Sequence, residues 1–287
     1  MAAPAVLSLR SATEEDRSRL ANLLHFETHV HRHLDWRRPL DWLGSEPFLV
    51  TETGGRLTGA LATPPDPPQV AWLRLFAVST RLDVAEVWAA LWPAAREQLL
   101  ETAVDQAAAI PLQDWFRKLL SRSRFEHTHN VVVLDWHADG GSFSNGNAES
   151  LPIIRPIKET DIPAVYEVDR TAFAPLWQNS LDALGLALKQ AGSATLIEEA
   201  GKPVAYQIST IGTQGLHLAR LATHPDFQGR GLALALVKDL QQQVLRRSEM
   251  RLSVNTQDNN LPSLSLYKKL GFELTRDRFP VYQQALN

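Results

Sequence analysis

The chain has 287 residues, 29 Lys and Arg against 32 Asp and Glu for a net charge of −3, and no cysteine. At about 150 residues per domain this is close to two domains, and a hydrophobic content of 44% suits packed cores and excludes disorder as the main state. The charge balance leaves no basic surplus for a phosphate backbone, so no nucleic-acid partner is expected, and the lack of Cys excludes disulfide frameworks, thiolate metal sites and Cys nucleophiles.

No apolar run approaches the roughly 20 residues that cross a bilayer, and the opening MAAPAVLSLRSATEEDR turns charged with no leader-like apolar core. The expectation is a soluble, cytoplasmic protein with no membrane partner. Arg10-Ser-Ala-Thr-Glu-Glu-Asp16 leads into an amphipathic stretch from Arg19 to Leu24. His25, Glu27, His29, His31 and His33 follow. His25 and His29 stand one helical turn apart, but the H-E-x-x-H form is missing. The run therefore reads as a polar loop or pH-sensitive surface, and no metal site is assigned. Phe48 to Leu61 reads as strand, turn at Gly54-Gly55 and strand. Trp72 to Val78 reads as a third strand, and helix, strand, helix and strand complete this half.

In residues 137–150, HADGGSFSNGNAES, large aliphatic residues vanish, which marks a linker. The expected organisation is a domain over 1–136, the linker, and a second domain over 151–287. Arg155-Pro-Ile-Lys-Glu-Thr-Asp161 repeats the opening of the first half at an offset of 155 − 10 = 145. Thr195 to Ile208 repeats the hairpin around Ala200-Gly201, and His217 to Thr223 the third strand. Leu232, Leu236, Leu240 and Val244 recur every four residues and predict a long helix. Met250 to Asn255 reads as a strand, Leu261 to Leu270 as a short helix stopped by Gly271, and Phe279 to Ala285 as a final strand. The fold class is α/β, one unit built twice.

Between third strand and long helix lies Leu221-Ala-Thr-His-Pro-Asp-Phe-Gln-Gly-Arg-Gly-Leu-Ala233. Glycines at 229 and 231 remove the Cβ atoms that would hold an anion off the backbone, and the first-turn amides of a helix point unpaired donors at it. A helix start in which glycines relieve crowding, or another nucleotide loop, is equally consistent with this stretch alone. The P-loop Lys-Ser/Thr pair is absent, however, and the G-x-G-x-x-G spacing is not met.

A second motif follows, Asn260-Leu-Pro-Ser-Leu-Ser-Leu-Tyr267-Lys-Lys-Leu-Gly271-Phe272. With both in place, the second half resembles the GNAT superfamily of acyl-CoA-dependent N-acyltransferases. Gln228, Gly231 and Ala233 match the phosphate-loop pattern Gln/Arg-x-x-Gly-x-Gly/Ala. Asn260, Leu266, Tyr267, Gly271 and Phe272 match the pattern Asn-x-x-Ala-x-x-Leu-Tyr with its Gly-Phe close, and Ser263 stands where Ala is usual. The resemblance covers 151–287 well and 1–136 in outline.

The resemblance implies two tandem GNAT-like domains, each a mixed, mostly antiparallel sheet flanked by helices. It implies transfer of acetyl from acetyl-CoA to a primary amine of a small molecule or protein; the alternative is a non-catalytic acyl-CoA sensor or scaffold. The diphosphate would lie on the amides of Gly229, Arg230, Gly231, Leu232 and Ala233, beside Gln228. The pantetheine arm would add as a strand along Leu221, Ala222 and Thr223, with an amide near Ala222 or Thr223 facing the thioester oxygen. Asn260 would hold pantetheine or a water. Tyr267 is the candidate acid, the other account being a core aromatic, and Phe173 and Trp177 are expected at the acceptor wall. The base stays open among Glu167, Asp169, Glu198, Glu199 and His224, and His224 before Pro225 equally suits a turn cap.

At the repeat offset, Gly229, Gly231 and Ala233 fall on Val84, Glu86 and Trp88. Anchoring Phe125 on Phe272 puts Leu120 where Tyr267 stands. The first half is therefore expected to lack the usual CoA site.

Overall fold

The computed structural model describes residues 7–138, 152–212, 215–247 and 251–286. Most of the expected linker and Met250 of the expected strand lie outside the described residues. The chain divides into two compact units, one formed by Met1–Thr128 with Phe279–Asn287 and the other by His129–Arg278.

The first unit carries β1 (Ser8–Ser11), α1 (Arg17–Phe26), β2 (His29–Arg32), β3 (Phe48–Thr53), β4 (Arg56–Ala62), β5 (Val70–Trp72), β6 (Leu75–Val78), α2 (Val84–Leu100), β7 (Gln106–Ala109), α3 (Asp114–Arg122) and the start of β8 (Glu126–His137). Gly54 and Gly55 turn the β3–β4 hairpin with φ of 56° and 75°, the two positive values that a tight two-residue turn requires. A five-stranded sheet runs β1-β3-β4-β6-β2. The single strand expected from Trp72 to Val78 is broken at Leu73 and Arg74: β5 pairs in parallel with β7, while β6 pairs with β4 and β2. Val87, Trp88, Leu91, Trp92, Ala95 and Leu99 of α2 pack into the core with Phe116, Leu119 and Leu120 of α3.

The second unit carries most of β8, then β9 (Ile154–Pro156), α4 (Ile162–Ala172), α5 (Leu181–Lys189), β10 (Ser193–Glu199), β11 (Lys202–Gly212), β12 (Gly215–Thr223), α6 (Leu232–Arg246), β13 (Arg251–Gln257), α7 (Leu261–Lys269) and the start of β14 (Glu273–Ala285). Its strands follow the order β8-β13-β12-β11-β10-β9. All pairs are antiparallel except β12 with β13. The four-residue apolar stripe of α6 is real: Leu236, Leu240 and Val244 are fully buried, each burial contributing about 1.5–3 kcal/mol.

The compact units are not the two sequence halves. Val131 to His137, from the end of the first half, pair with β13, and Tyr282 to Ala285, from the end of the second, pair with β7. Each half thus gives its last strand to the unit built mainly from the other, satisfying an edge that would otherwise expose a row of N–H and C=O groups. Composition marks a linker but carries no record of which edge a strand joins.

Candidate functional site

In the second unit, β12 pairs with β13 only from Gly215↔Arg251 to Leu218↔Val254. The register of β12 against β11 then slips by one, from Ser209↔Leu218 to Ile208↔Arg220, leaving Ala219 as the extra residue of a bulge. Beyond it β12 has β11 on one side and, among the described residues, no strand on the other. His224 N–H donates to Val204 C=O at 2.8 Å, which fixes the alternation of the ladder. Ala222 and Arg220 turn their amides toward β11, and Leu221 and Thr223 turn theirs to the open side. Of the two residues expected to supply an open amide, Thr223 has it there and Ala222 does not; Leu221 joins Thr223.

The strand ends in a short turn over Pro225–Phe227, capped by His224, whose Nδ1 accepts from Asp226 N–H at 3.3 Å. Gln228 donates to Thr223 C=O at 3.3 Å. Gly229 and Gly231 follow with φ of 76° and 78°, and a Cβ on either would meet no atom within 4 Å. Gly231 is the N-cap of α6, and the first backbone bond runs from Ala235 N–H to Gly231 C=O at 3.0 Å. The helix geometry leaves the first-turn amides of Leu232, Ala233 and Leu234 without a partner among the described residues. Arg230 leans over the Phe227 ring at 4.8 Å and pairs with Glu199 at 3.3 Å. Leu232 is buried against Ile197, Val204 and Leu236, so it anchors the loop through its side chain.

Asn260 caps α7: its Oδ1 accepts from Ser263 N–H at 3.3 Å, and its Nδ2 donates to Thr256 Oγ1 and Gln257 Oε1. Tyr267 is 4% exposed, its ring 5.5 Å from Phe272. Its hydroxyl makes no hydrogen bond among the described residues, and burial pushes its pKa up, which keeps it protonated at neutral pH.

Phe173 and Trp177 meet at Arg220, the residue just past the bulge. The guanidinium lies 3.6 Å over the Phe173 ring and donates to Trp177 C=O at 2.6 Å. Arg220 also clasps Asp169, which accepts from the Tyr206 hydroxyl as well. Asp169 is therefore a structural anion. The other carboxylates left open as bases are paired too: Glu167 with Arg170, Glu198 with Arg155, Glu199 with Arg230.

The sequence reading passed over Arg220 and a polar group where β12 and β13 still pair. His217 Nδ1 lies 2.9 Å from Ser253 Oγ, and Nε2 lies 2.9 Å from Asn255 Oδ1. The available signal was polar residues alternating with Leu216, Leu218, Leu252 and Val254 on strands whose apolar face is buried.

In the first unit the corresponding features are closed. The N-cap of α2 is Asp83, whose own carboxylate accepts from Ala85 N–H at 2.8 Å and Glu86 N–H at 3.2 Å. The flank of β6 away from β4 is taken by β2, from His29↔Val78 to Arg32↔Leu75. Of the histidines expected in a polar loop, His25 falls in the last turn of α1, His29 and His31 lie on β2, and His33 follows it. His31 is buried, stacked on Phe116 at 4.3 Å with Nε2 3.0 Å from Leu73 C=O, and His33 stacks on Trp72 at 4.6 Å. Aromatic surface on α3 and β5 draws them in, which alternation over four residues could not announce. Among the described residues no group of three or more His, Cys, Asp or Glu is placed to hold a metal, and no helix is long and apolar enough to cross a membrane.

Residues 162–272 match the acetyltransferase (GNAT) family. The [ribosomal protein bS18]-alanine N-acetyltransferase of Escherichia coli K12 is 26% identical over 130 residues, 44% of this chain and 86% of that protein. A tandem GNAT protein from the clavulanic acid biosynthesis pathway superposes with a TM-score of 0.64 at 16% identity, covering 98% of this chain and 99% of that one. A GCN5-related N-acetyltransferase from Anabaena variabilis superposes with a TM-score of 0.69 at 15% identity, covering 98% and 73%.

Proposed function

Since this chain is a member of the GNAT superfamily and an acyltransferase, we propose that it transfers acetyl from acetyl-CoA to a primary amine, with residues 151–287 as the acyl-CoA-binding part and 1–136 as a degenerate copy. The observation that carries this reading is the open flank of β12 running into a helix whose cap is a left-handed glycine. Extended backbone donors followed by unspent helix amides suit an arm with a diphosphate at its end. Gly229 and Gly231 leave the cradle clear of side chains, so the residues present fit the group.

When bound, acetyl-CoA supplies a thioester carbonyl open to attack and a thiol leaving group. The amides of Gly229 to Ala233 hold the diphosphate, and Gln228 keeps the loop against Thr223. Thr223 and Leu221 offer main-chain groups to the arm, and Leu221 N–H, nearer the bulge, donates where negative charge develops on the carbonyl oxygen. Tyr267, held protonated by burial, gives its proton to the departing sulfur. Asn260, with its side chain spent on capping α7, acts by placing that helix and Tyr267. Phe173 and Trp177, fixed by Arg220, wall the side from which the amine enters. In the first unit, Asp83 occupies the anion position and β2 the arm's position, which supports a non-catalytic role.

Calorimetry with acetyl-CoA, followed by product detection over polyamines, amino acids, aminoglycosides and peptide N-termini, tests the reading. Peptide N-termini are included because the bS18 relative is named for an alanine of a protein. Binding with transfer to at least one amine is expected. Absence of binding removes the site assignment, and binding without any transfer removes the amine.

A further inference from the structure

Resting on that reading, the second unit also holds a built path for the proton that the acceptor must lose. An amide oxygen only accepts hydrogen bonds, so Asn255 Oδ1, 2.9 Å from His217 Nε2, assigns the ring hydrogen to Nε2. Nδ1 is then the acceptor, and Ser253 Oγ–H donates to it at 2.9 Å. The three side chains form a directed chain: a hydroxyl on a neutral imidazole that a third group orients. They sit beside the last pair that β12 makes with β13, Leu218↔Val254, where the open flank begins. Ser253 is half-buried and Asn255 exposed.

Burial lowers the His217 pKa; the Asn255 hydrogen bond opposes this, Arg251 adds to it and Asp135 opposes it. Those last two are ion-paired at 2.8 Å on the neighbouring strands, so the ring is neutral and able to accept at pH 7. The carboxylates that the sequence offers as bases are engaged with arginines, and His224 caps its turn.

We propose that Ser253, His217 and Asn255 are the proton relay for the acceptor amine. An N–H bond of the substrate ammonium breaks, its proton passing through water to Ser253 Oγ while the Ser253 proton moves to His217 Nδ1. Asn255 Oδ1 holds the imidazolium through Nε2–H. The freed nitrogen lone pair forms the C–N bond to the acyl carbon, and the C–S bonding pair leaves on sulfur. The sulfur is protonated by Tyr267, which regains a proton from the new amide nitrogen. His217 returns its proton to solvent, so one proton is released per ammonium acetylated. All three residues act through water or one another, as positioning and relay groups.

The test joins imidazole NMR on the unliganded protein to pH–rate profiles with the amine that the wild type acetylates best. The expected tautomer carries hydrogen on Nε2, and the acid limb of kcat/KM follows the His217 titration. Asn255→Asp is expected to move the NMR titration and the acid limb upward together, which a merely structural role would not do. His217→Gln and, as a second variant of gentler footprint, Ser253→Ala are expected to lower kcat/KM about 100-fold, with unchanged acetyl-CoA affinity. An Nδ1–H tautomer, a limb that stays put in Asn255→Asp, or full turnover in both other variants overturns the relay while leaving acetyl transfer standing. A wild type that binds acetyl-CoA and acetylates nothing overturns both.

Discussion

Arg220 lies edge-on to Asp169, with Nε 2.7 Å from Oδ2 and Nη2 2.8 Å from Oδ1, and the carboxylate is fully buried. The Tyr206 hydroxyl and the Asn179 N–H complete its shell. One buried anion thus ties α4, β11, β12 and the segment bearing Phe173 and Trp177. Asp169→Ala leaves a buried guanidinium without its partner and is expected to cost roughly 3–5 kcal/mol. Tyr206→Phe removes one donor and is expected to cost about 1–2 kcal/mol. Urea unfolding measures both; an Asp169→Ala protein as stable as the wild type would show that the clasp carries no weight.

Gly231 and Asp83 hold the same station, the N-cap of the helix after the third strand. Copying the first unit into the second, as Gly231→Asp, places a carboxylate among the amides assigned to the diphosphate. Its φ of 78° adds a strain of about 1–3 kcal/mol. Gly231→Ala shares that strain without the charge. Acetyl-CoA affinity is expected to fall at least a further tenfold, about 1.4 kcal/mol, in Gly231→Asp beyond Gly231→Ala. Equal affinities by calorimetry would move the diphosphate elsewhere.

The repeat was legible down to side chains. Arg10 Nη1 donates to Asp16 Oδ2 at 2.6 Å and Arg155 Nη1 to Asp161 Oδ2 at 2.7 Å, and each arginine reaches a second acid, Glu52 or Glu198. Local periodicity and fixed spacing carry such features, as they carried α6 and the glycine cap. Pairings between residues far apart in sequence left no such trace. Neither the exchange of final strands nor the seating of β2 beside β6 follows from composition, because both depend on which edge lacks a partner. The same limit hid Arg220 and His217, whose meaning lies in Asp169, Ser253 and Asn255, and it made Asp169 look like a candidate base.

The strand that closes the first unit makes stability depend on pH. Burial pushes the His31 pKa from 6.5 down to about 4, and His33 moves the same way, also by burial, with Arg74 adding to it. Between those values the unfolded chain binds the proton and the folded one does not, so stability is full above about pH 7 and falls as the pH drops from 6.5 toward 4. Taken alone, His31 accounts for about 3 kcal/mol over that window. His31→Phe, which stacks without titrating, is expected to flatten the slope of urea-unfolding free energy between pH 6.5 and 4.5 relative to wild type. Identical slopes would mean that His31 is not held neutral.

Tyr267 separates chemistry from packing most cleanly. Its ring sits in the core with Leu218, Val254 and Phe272, while its hydroxyl makes no hydrogen bond among the described residues. Removing that oxygen leaves no buried partner unsatisfied, so Tyr267→Phe is expected to hold its melting temperature and its acetyl-CoA affinity. A phenol that protonates the leaving sulfur contributes about 10²-fold or more, so kcat is expected to fall by that order with the best amine. Because burial raises the phenol's pKa, the wild-type rate should show no basic limb from this group near neutral pH. Unchanged turnover in Tyr267→Phe would assign the residue to the core alone and leave the sulfur to water.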